Sequence, residues 1–538
     1  MEQKMYDDHK ILFVLNETEE NAEKAIVYLQ SLQIPEGYTA EVALPKQETT
    51  VAAYYHAVQQ SSNARYKVYL DEGTVILQKD FLEQAIGVLS ADQEIGLLGV
   101  LGTDQLLTDG VLYLAPHKWG QVIKGNGQRI VGETIPGACR DVRVAGGGIL
   151  VTQYDIPWRY DLFNGTLFLS ASASVEYRRE GLRTVVLRTE EDAILLPGAA
   201  MELDEIDQMR FLDEYSSELY PLVSIVLPTY QRPEYFRLAL HSAVNQTYRN
   251  LDIFITDNSH NTETKKVYEK YFADDPRICY EHHPDFGERE NWARAIDYNN
   301  PEADYVNWLM DDDIFMPDKI AKMMDFFITY PDVMLVTSYR QRIDADGNIM
   351  PDTPMNEPPI DHTARIKGED MGRHILMMMN NFVGEPTTAL AKKSGMLEHH
   401  RLGWTGNEGK YLISDFPTWL RLLTQGDVIY IHEPLSQFRQ HPGQEQHNVF
   451  TFISGNICWG LMMRNAIDQN VFLVTEEDRR TALVRYLYCL GDSLRKLLAY
   501  PVWQDDRLMD LLTVYQGTIE ALKNGFRFSY KIDMRHKI

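Results

Sequence analysis

Tyr305-Val-Asn-Trp-Leu-Met-Asp311-Asp312-Asp313-Ile-Phe-Met-Pro317 is the stretch on which the reading of this chain turns. A short, mostly apolar run has the character of a buried strand, and this one ends in three consecutive carboxylates. In a parallel sheet, ligands bind in the crevice beyond the carboxyl ends of the strands. Carboxylates placed there are hard oxygen ligands for Mg²⁺ or Mn²⁺. An acidic triplet also reads as a solvated turn, but the apolar strand before it and the Ile-Phe-Met-Pro after it argue for a site.

At 538 residues the chain is too long for one core and implies about three domains. A formal net charge of −26 argues against nucleic acid or an anionic bilayer as the main partner. A negatively charged substrate would need local Arg, Lys or a cation to offset that field. Cys139, Cys279, Cys458 and Cys489 lack paired spacing, so neither a zinc site nor a disulfide framework is indicated, which fits a reducing compartment. The opening residues hold no apolar signal core, and no run approaches ~18 apolar residues. The expectation is a cytoplasmic protein without a transmembrane span, with peripheral attachment at the inner face of a membrane left open.

Strands are expected at 11–15 and 66–70 with a helix over 20–32, and strand–helix alternation resumes at Leu222-Val-Ser-Ile-Val-Leu227. Such alternation points to a mainly parallel α/β sheet in each half. Residues 206–221 are rich in acidic side chains and read as a linker or a helix. Beyond about 450 the pattern is helical: Thr475 and Asp478 are placed to cap a helix whose stripe is Leu483, Val484, Leu487, Leu490, Leu494, Leu497 and Leu498, ended by Pro501. Ala64-Arg-Tyr-Lys-Val-Tyr-Leu70-Asp71-Glu72-Gly73 echoes residues 303–313. The chain therefore divides into α/β units at 1–205 and 222–450 that copy one architecture, joined by the linker and followed by a helical region, 451–538.

The chemistry-bearing residues lie in the second unit. Val223-Ser-Ile-Val-Leu-Pro228-Thr229-Tyr230-Gln231-Arg232-Pro233 is a strand breaking into a helix, a turn where a nucleotide would sit. The next strand ends at Asp257-Asn258-Ser259, where Asp257 or Asn258 could bond a base or ribose edge or simply cap the following helix. In Asp285-Phe-Gly287-Glu-Arg289-Glu-Asn291, the Arg289 guanidinium suits phosphate oxygens. Gly384-Glu385-Pro386-Thr387 and Ile413-Ser414-Asp415-Phe416-Pro417 flank the acceptor side. His441 is a further candidate metal contact, although a loop histidine is more often neither ligand nor catalyst.

These motifs, in this order over residues 222–450, resemble a family 2 glycosyltransferase of the GT-A fold, nearest in type to the spore-coat polysaccharide biosynthesis enzymes at Asp311-Asp312-Asp313-Ile-Phe-Met-Pro-Asp-Lys-Ile320. The resemblance implies that Pro228, Thr229, Tyr230, Arg232, Asp257, Asn258, Arg289 and Asn291 line the nucleotide-sugar pocket with Asp311. It implies that Asp312, with Asp313, ligates Mn²⁺ or Mg²⁺ and that Asp415 is the catalytic base of an inverting transfer. The implied partners are a nucleotide-sugar donor and a glycan, lipid-linked or protein acceptor, with self-association through the helical tail. Two departures stand out. Asp257-Asn258 replaces a pair of aspartates common in relatives, and Ser414 replaces the usual Glu before the base.

Tyr66 to Leu70, Ile95 to Val100 and Val151-Thr-Gln-Tyr-Asp-Ile-Pro-Trp-Arg159 are similar to the glycosyltransferase-like domain of the streptomycin-biosynthesis type. Relatives carry His-Gln-Asp where this chain has Asp71-Glu72-Gly73, and an aspartate where it has Ser170. The expectation is a first unit that keeps the fold and has lost transfer chemistry. A bifunctional enzyme and a non-catalytic nucleotide-sugar- or glycan-binding protein stay open as alternatives.

Overall fold

The structure is a computed structural model that describes residues 5–17, 19–45, 49–197, 203–353, 356–396, 415–442, 449–497, 500 and 505–530. Ser414 and Leu498 lie outside these ranges. Contacts divide the chain into two units, Met1–Tyr220 and Pro221–Ile538.

In the first unit the main sheet runs, in spatial order, Thr39–Ala43, Asp7–Leu15, Ala64–Leu70, Ile149–Thr152, Ile95–Gly99, Arg183–Leu187, Cys139–Asp141. The first three strands are mutually parallel. Ile149–Thr152 is antiparallel to both neighbours, and Ile95–Gly99 and Arg183–Leu187 are again parallel. Ala64–Leu70 is buried at six of its seven positions, as a strand covered on both faces must be. Lys67 survives there because its ammonium meets Asp155 at 2.6 Å and the Ala64 carbonyl at 2.7 Å.

Of the two readings of the acidic stretch, linker or helix, the helix is present, Glu205–Leu219, and it belongs to the first unit and not to a separate connector. Asp204 caps it, accepting from the Ile206 and Asp207 amides. Its acidic residues cover an apolar side that buries Phe211, Tyr215 and Leu219, with Phe211 stacked on Phe168 at 4.9 Å between centroids. Asp207 turns inward and accepts from the Asn164 and Gly165 amides. Composition alone reads as linker because those acidic side chains hide the amphipathic period.

The second unit repeats the sheet order. Ile278–His282, Leu251–Asp257, Leu222–Thr229 and Ala303–Trp308 are parallel. Leu390–Lys392 enters antiparallel between Ala303–Trp308 and Leu335–Ile343, and Val428–Arg439 lies parallel to Leu335–Ile343. Two tandem α/β copies with mainly parallel sheets and a helical C-terminal region are thus present. In both copies the strand ahead of the acidic residues (Ala64–Leu70, Ala303–Trp308) sits between the opening parallel strand and the antiparallel one.

Helices Val449–Asp468, Glu476–Leu497 and Asp506–Lys523 share one hydrophobic core with that sheet: Ile457, Met462, Leu483, Tyr486, Leu490 and Leu511 cluster with Trp308, Leu335, Leu376 and Trp419. The helical region is built onto the second unit. Thr475 caps the middle helix through the Asp478 amide, 3.1 Å. The expected stripe needs one correction, since Val484 is 53% exposed and Tyr486 is buried in its place. Positions 483, 486 and 490 share a face at helical spacing, and 484 falls a hundred degrees away. Leu483→Ala is expected to lower stability by about 2–5 kcal/mol in urea unfolding. It should also reduce amide-exchange protection in the strand Leu335–Ile343; unchanged protection there would mean that the helices fold separately from the sheet.

Candidate active site

The carboxyl ends of the parallel strands in the second unit gather most of the residues singled out by sequence. After Leu222–Thr229 the chain turns through Gln231, whose φ of 50° is left-handed, and enters the helix Pro233–Val244 with Pro233 in its first turn. Such a φ is strained for a side-chain-bearing residue, and the turn is fastened by the Gln231 amide donating to the buried Ser259 hydroxyl at 2.7 Å. That turn aims three donors at Asp311: the Thr229 hydroxyl at 2.9 Å, the Tyr230 amide at 3.2 Å and the Arg232 guanidinium at 3.0 Å.

The three carboxylates of the triplet face three ways. Asp311 answers the first turn, as above. Asp312 meets the His441 imidazole at 2.9 Å and Arg232 at 3.4 Å, with the Asp312 and His441 side chains both nearly buried. Asp313, grouped with Asp312 as a metal ligand from sequence, points into the protein. It is 1% exposed and accepts from the Arg439 amide at 3.0 Å and the Thr387 hydroxyl at 2.6 Å. Both of its oxygens have protein donors, so Asp312 is the triplet carboxylate that meets His441. The pairing of Ile314 and Phe315 with Gln437 and Ser436 makes this possible, because it lays the triplet beside the end of Val428–Arg439. Arg439, itself buried, adds a bond to the Asp312 carbonyl at 2.8 Å and covers the Tyr235 ring.

Crowding shows in the protonation of these groups. Burial, and next the Asp312 charge, push Asp311 up to about 6 against the pull of Arg232. The same two causes raise Asp313 well above the carboxylate range.

On the other side of the first strand, Asp257 is fully buried and accepts from the Ser259 amide at 2.8 Å and the Tyr280 hydroxyl at 2.5 Å. Asn258 donates to the Phe286 carbonyl at 3.1 Å. Asn291 accepts from Thr256 at 2.6 Å and donates to the Thr256 and Thr229 carbonyls, so it ties two strand ends together from beneath. Tyr230 is 43% exposed, with its ring edge-on to His260. Arg289 is half-buried in the first turn of Glu288–Asp297. Pro228 is buried within the strand and shapes the wall rather than contacting open space.

Asp415 begins the helix Asp415–Leu423 and accepts from Asn381 at 3.4 Å. Its carboxyl is pushed up to about 6, mainly by burial; the Phe416 amide opposes this and the Glu385 charge adds to it. The loop 381–388 links Asp415 to the triplet. Asn381 reaches Asp415, Glu385 pairs with the buried Arg340, and Thr387 holds Asp313. Glu385 is close enough to raise both Asp313 and Asp415. Lys319, fully buried, anchors the loop's end by donating to the Thr388 carbonyl at 2.9 Å.

Sequence reading missed Ser259, Tyr280, Arg340, Thr387 and Arg439. Gly384-Glu385-Pro386-Thr387 is visible as a motif, but nothing in its spacing shows that Thr387 would face Asp313. Arg439 stands two residues from the histidine already singled out, and that proximity is the one signal available.

The residues able to hold a cation fit one in part. Asp312 and His441 offer an oxygen and a nitrogen donor on adjacent surfaces, a pair compatible with Mn²⁺ and less so with Mg²⁺. Among the described residues no three His, Cys, Asp or Glu side chains converge as a metal-binding group. A cation here would need ligand oxygens to complete its shell.

Comparison with known proteins gives a family match on each unit. Residues 11–215 match the model of a family described as "Glycosyltransferase like family", and residues 224–383 match that of "Glycosyl transferase family 2". Protein CgeD of Bacillus subtilis is 26% identical over 264 residues, covering 46% of this chain and 57% of that protein. An uncharacterized glycosyltransferase of Rickettsia conorii is 24% identical over 327 residues, covering 57% and 50%. The chain thus spans little more than half the length of these relatives. A crystal structure of residues 1–349 of TarS from S. aureus aligns at 13% identity with a TM-score of 0.36, covering 59% of this chain and 95% of that one. With a glycosyltransferase family model matched on each unit, the chain is built of two glycosyltransferase-type domains, the second of them of family 2.

Proposed function

We propose that the second unit transfers a sugar from a nucleoside-diphosphate donor to a hydroxyl of a glycan, lipid-linked or protein acceptor, inverting the anomeric carbon. The observation that carries this reading is the loop 381–388, which reaches Asp415, a carboxylate suited to proton transfer, through Asn381 and the buried Asp313 of the triplet, next to Asp312, through Thr387. The turn at Pro228–Arg232 and the strand end at Asp257 and Asn258 form the walls for base and ribose, with Tyr230 offering an exposed ring. Arg232 sits where diphosphate oxygens would arrive, and its present contacts to Asp311 and Asp312 keep it extended toward them.

A sugar hydroxyl is a weak nucleophile near neutral pH, so a carboxylate within hydrogen-bond reach must take its proton as attack proceeds. Asp415 is suited to this because burial makes it more basic than a surface aspartate while leaving it ionised at pH 7. Asn381 fixes the orientation of that carboxylate, and Trp419 locks the loop from below by donating to the Gly384 carbonyl at 3.0 Å. A divalent cation held by Asp312 and His441 would supply charge to stabilise the departing diphosphate. Holding donor and acceptor in line lowers the barrier further by fixing geometry in advance.

Three outcomes test this reading. Asp415→Asn should abolish transfer while preserving donor-induced thermal stabilisation with Mn²⁺; near-normal turnover would remove Asp415 from the reaction. Because the base must be ionised, kcat/KM of the wild-type chain should fall about tenfold per pH unit below about 6 and level off above it, and a profile flat down to pH 5 contradicts the assignment. Asp312→Ala and chelation should each remove donor-induced stabilisation. Unchanged stabilisation in both cases would show that no cation is held there.

A further inference from the structure

The middle helix of the C-terminal region, Glu476–Leu497, buries one side in the second unit and leaves the other uncovered. Its inward side is Leu483, Tyr486, Leu490 and Leu497. Successive residues turn by about 100°, so Glu477, Thr481, Val484, Tyr488, Gly491 and Arg495 fall within one narrow arc on the far side. Every one of them is exposed. Their spacing alternates between four and three residues, the interval at which one helix meets another along a seam.

A single exposed apolar side chain is ordinary on a protein surface. Three features set this arc apart. Val484 is 53% exposed and Tyr488, one turn on, is 80% exposed, and among the described residues the Tyr488 side chain makes no hydrogen bond or ring contact. Gly491 sits inside the helix, where glycine is costlier than alanine, yet a Cβ there would meet nothing within 4 Å. Its own chain thus gives no reason for a glycine, whereas a close neighbour from outside does. The third feature is charge. The helix carries four acidic and five basic side chains, near balance in a chain of net charge −26, and it segregates them: Glu476, Glu477 and Asp478 open it, and Arg495 and Lys496 close it.

This arc is complementary to itself. Laid antiparallel on its own copy, with a two-fold axis at the level of Tyr486, it sets Val484 opposite Tyr488, Thr481 opposite Gly491 and Glu477 opposite Arg495. Symmetry makes each pairing twice. The Tyr488 ring then covers Val484, and Gly491 lets the two backbones approach. Half-buried Leu487 adds apolar surface on one flank. A parallel arrangement would put Glu477 on Glu477 and Arg495 on Arg495, so the charges select the antiparallel one.

Two neighbouring groups bear on the fit. Asp492 pairs with Arg495 at 2.8 Å and Lys496 at 3.1 Å along the helix. Such exposed pairs are weak, and the Arg495 guanidinium has donors to spare for a second carboxylate. Arg485, beside the axis, donates to the Met378 carbonyl at 3.1 Å, so its own chain holds it rather than leaving it against its counterpart.

From these observations we infer that the chain forms a two-fold dimer through the outer face of Glu476–Leu497, the partner being a second copy of the same chain. The seam from Glu477 to Arg495 is ~27 Å long, which makes the association weak and reversible. It stands on the helix alone and does not require the second unit to transfer a sugar.

Sedimentation velocity of the full-length chain over about 1–200 µM is the test, and a monomer–dimer equilibrium with a Kd of about 1–100 µM is expected. Tyr488→Asp and Gly491→Trp should each weaken dimerisation about tenfold or more. Both positions face outward, so circular dichroism and Tm should stay as in the wild type. Glu477→Arg and Arg495→Glu should each weaken it about fivefold alone and, combined in one chain, restore it to within about twofold, a rescue that a purely structural role of either residue would not produce. The inference is overturned if the chain stays monomeric over the whole range, or if it forms an open series of oligomers in place of a dimer. It is equally overturned if a dimer survives Tyr488→Asp and Gly491→Trp unchanged, or if the charge-exchanged double variant dimerises no better than the single ones.

Discussion

Three carboxylates on consecutive residues cannot all face one crevice as anions. Two unit charges 4 Å apart repel by about 4 kcal/mol at an effective dielectric of about 20, and a third adds two more such terms. The second unit resolves this by direction. Asp311 is neutralised by Arg232 and the turn after the first strand, Asp312 is left toward His441, and Asp313 is turned inward to Thr387 and the Arg439 amide. Each direction requires a different part of the chain to arrive at the strand end. The first βα turn, the loop 381–388 and the last long strand are all drawn there, so the geometry of the site is largely the geometry of dispersing this charge.

The loop 381–388 carries the second half of that arrangement. Its left-handed Gly384 has no room for a side chain, since a Cβ would come within 2.5 Å of the Thr388 hydroxyl and 3.1 Å of Arg340. The loop is thereby pinned between Arg340, Lys319 and Trp419, and a small displacement at any of them would be felt at both Asp313 and Asp415. Rigidity of this kind suits a reaction whose rate depends on the alignment of two substrates.

Much of this was legible in the chain itself. The apolar run ending in carboxylates gave the strand and its loop, and the echo between residues 64–73 and 303–313 gave the tandem plan, because both signals are local and periodic. The directions of the three carboxylates were not legible. They depend on Thr387 and Arg439, 74 and 126 residues away from Asp313, and no local pattern records a partner at that separation. The stretch Glu205–Leu219 stayed open between linker and helix for another reason: its charged residues outnumber the three apolar positions that anchor it, so composition blurs the period. Asn291 was read as a donor contact but is committed to the backbone of two strands, a use of an amide that sequence does not distinguish from ligand binding.

The short antiparallel strand at the middle of each sheet has a bearing on how the chain is made. Leu390–Lys392 has three residues, yet it separates Ala303–Trp308 from Leu335–Ile343, both of which leave the ribosome well before it. Until it arrives, two buried-type strands present open edges of unpaired amides, the feature that invites pairing with a neighbouring chain. Ile149–Thr152 imposes the same wait on the first copy. Nascent chains of this architecture are thus most exposed to misassembly midway through each copy, and slow translation just before residue 390 would lengthen that interval.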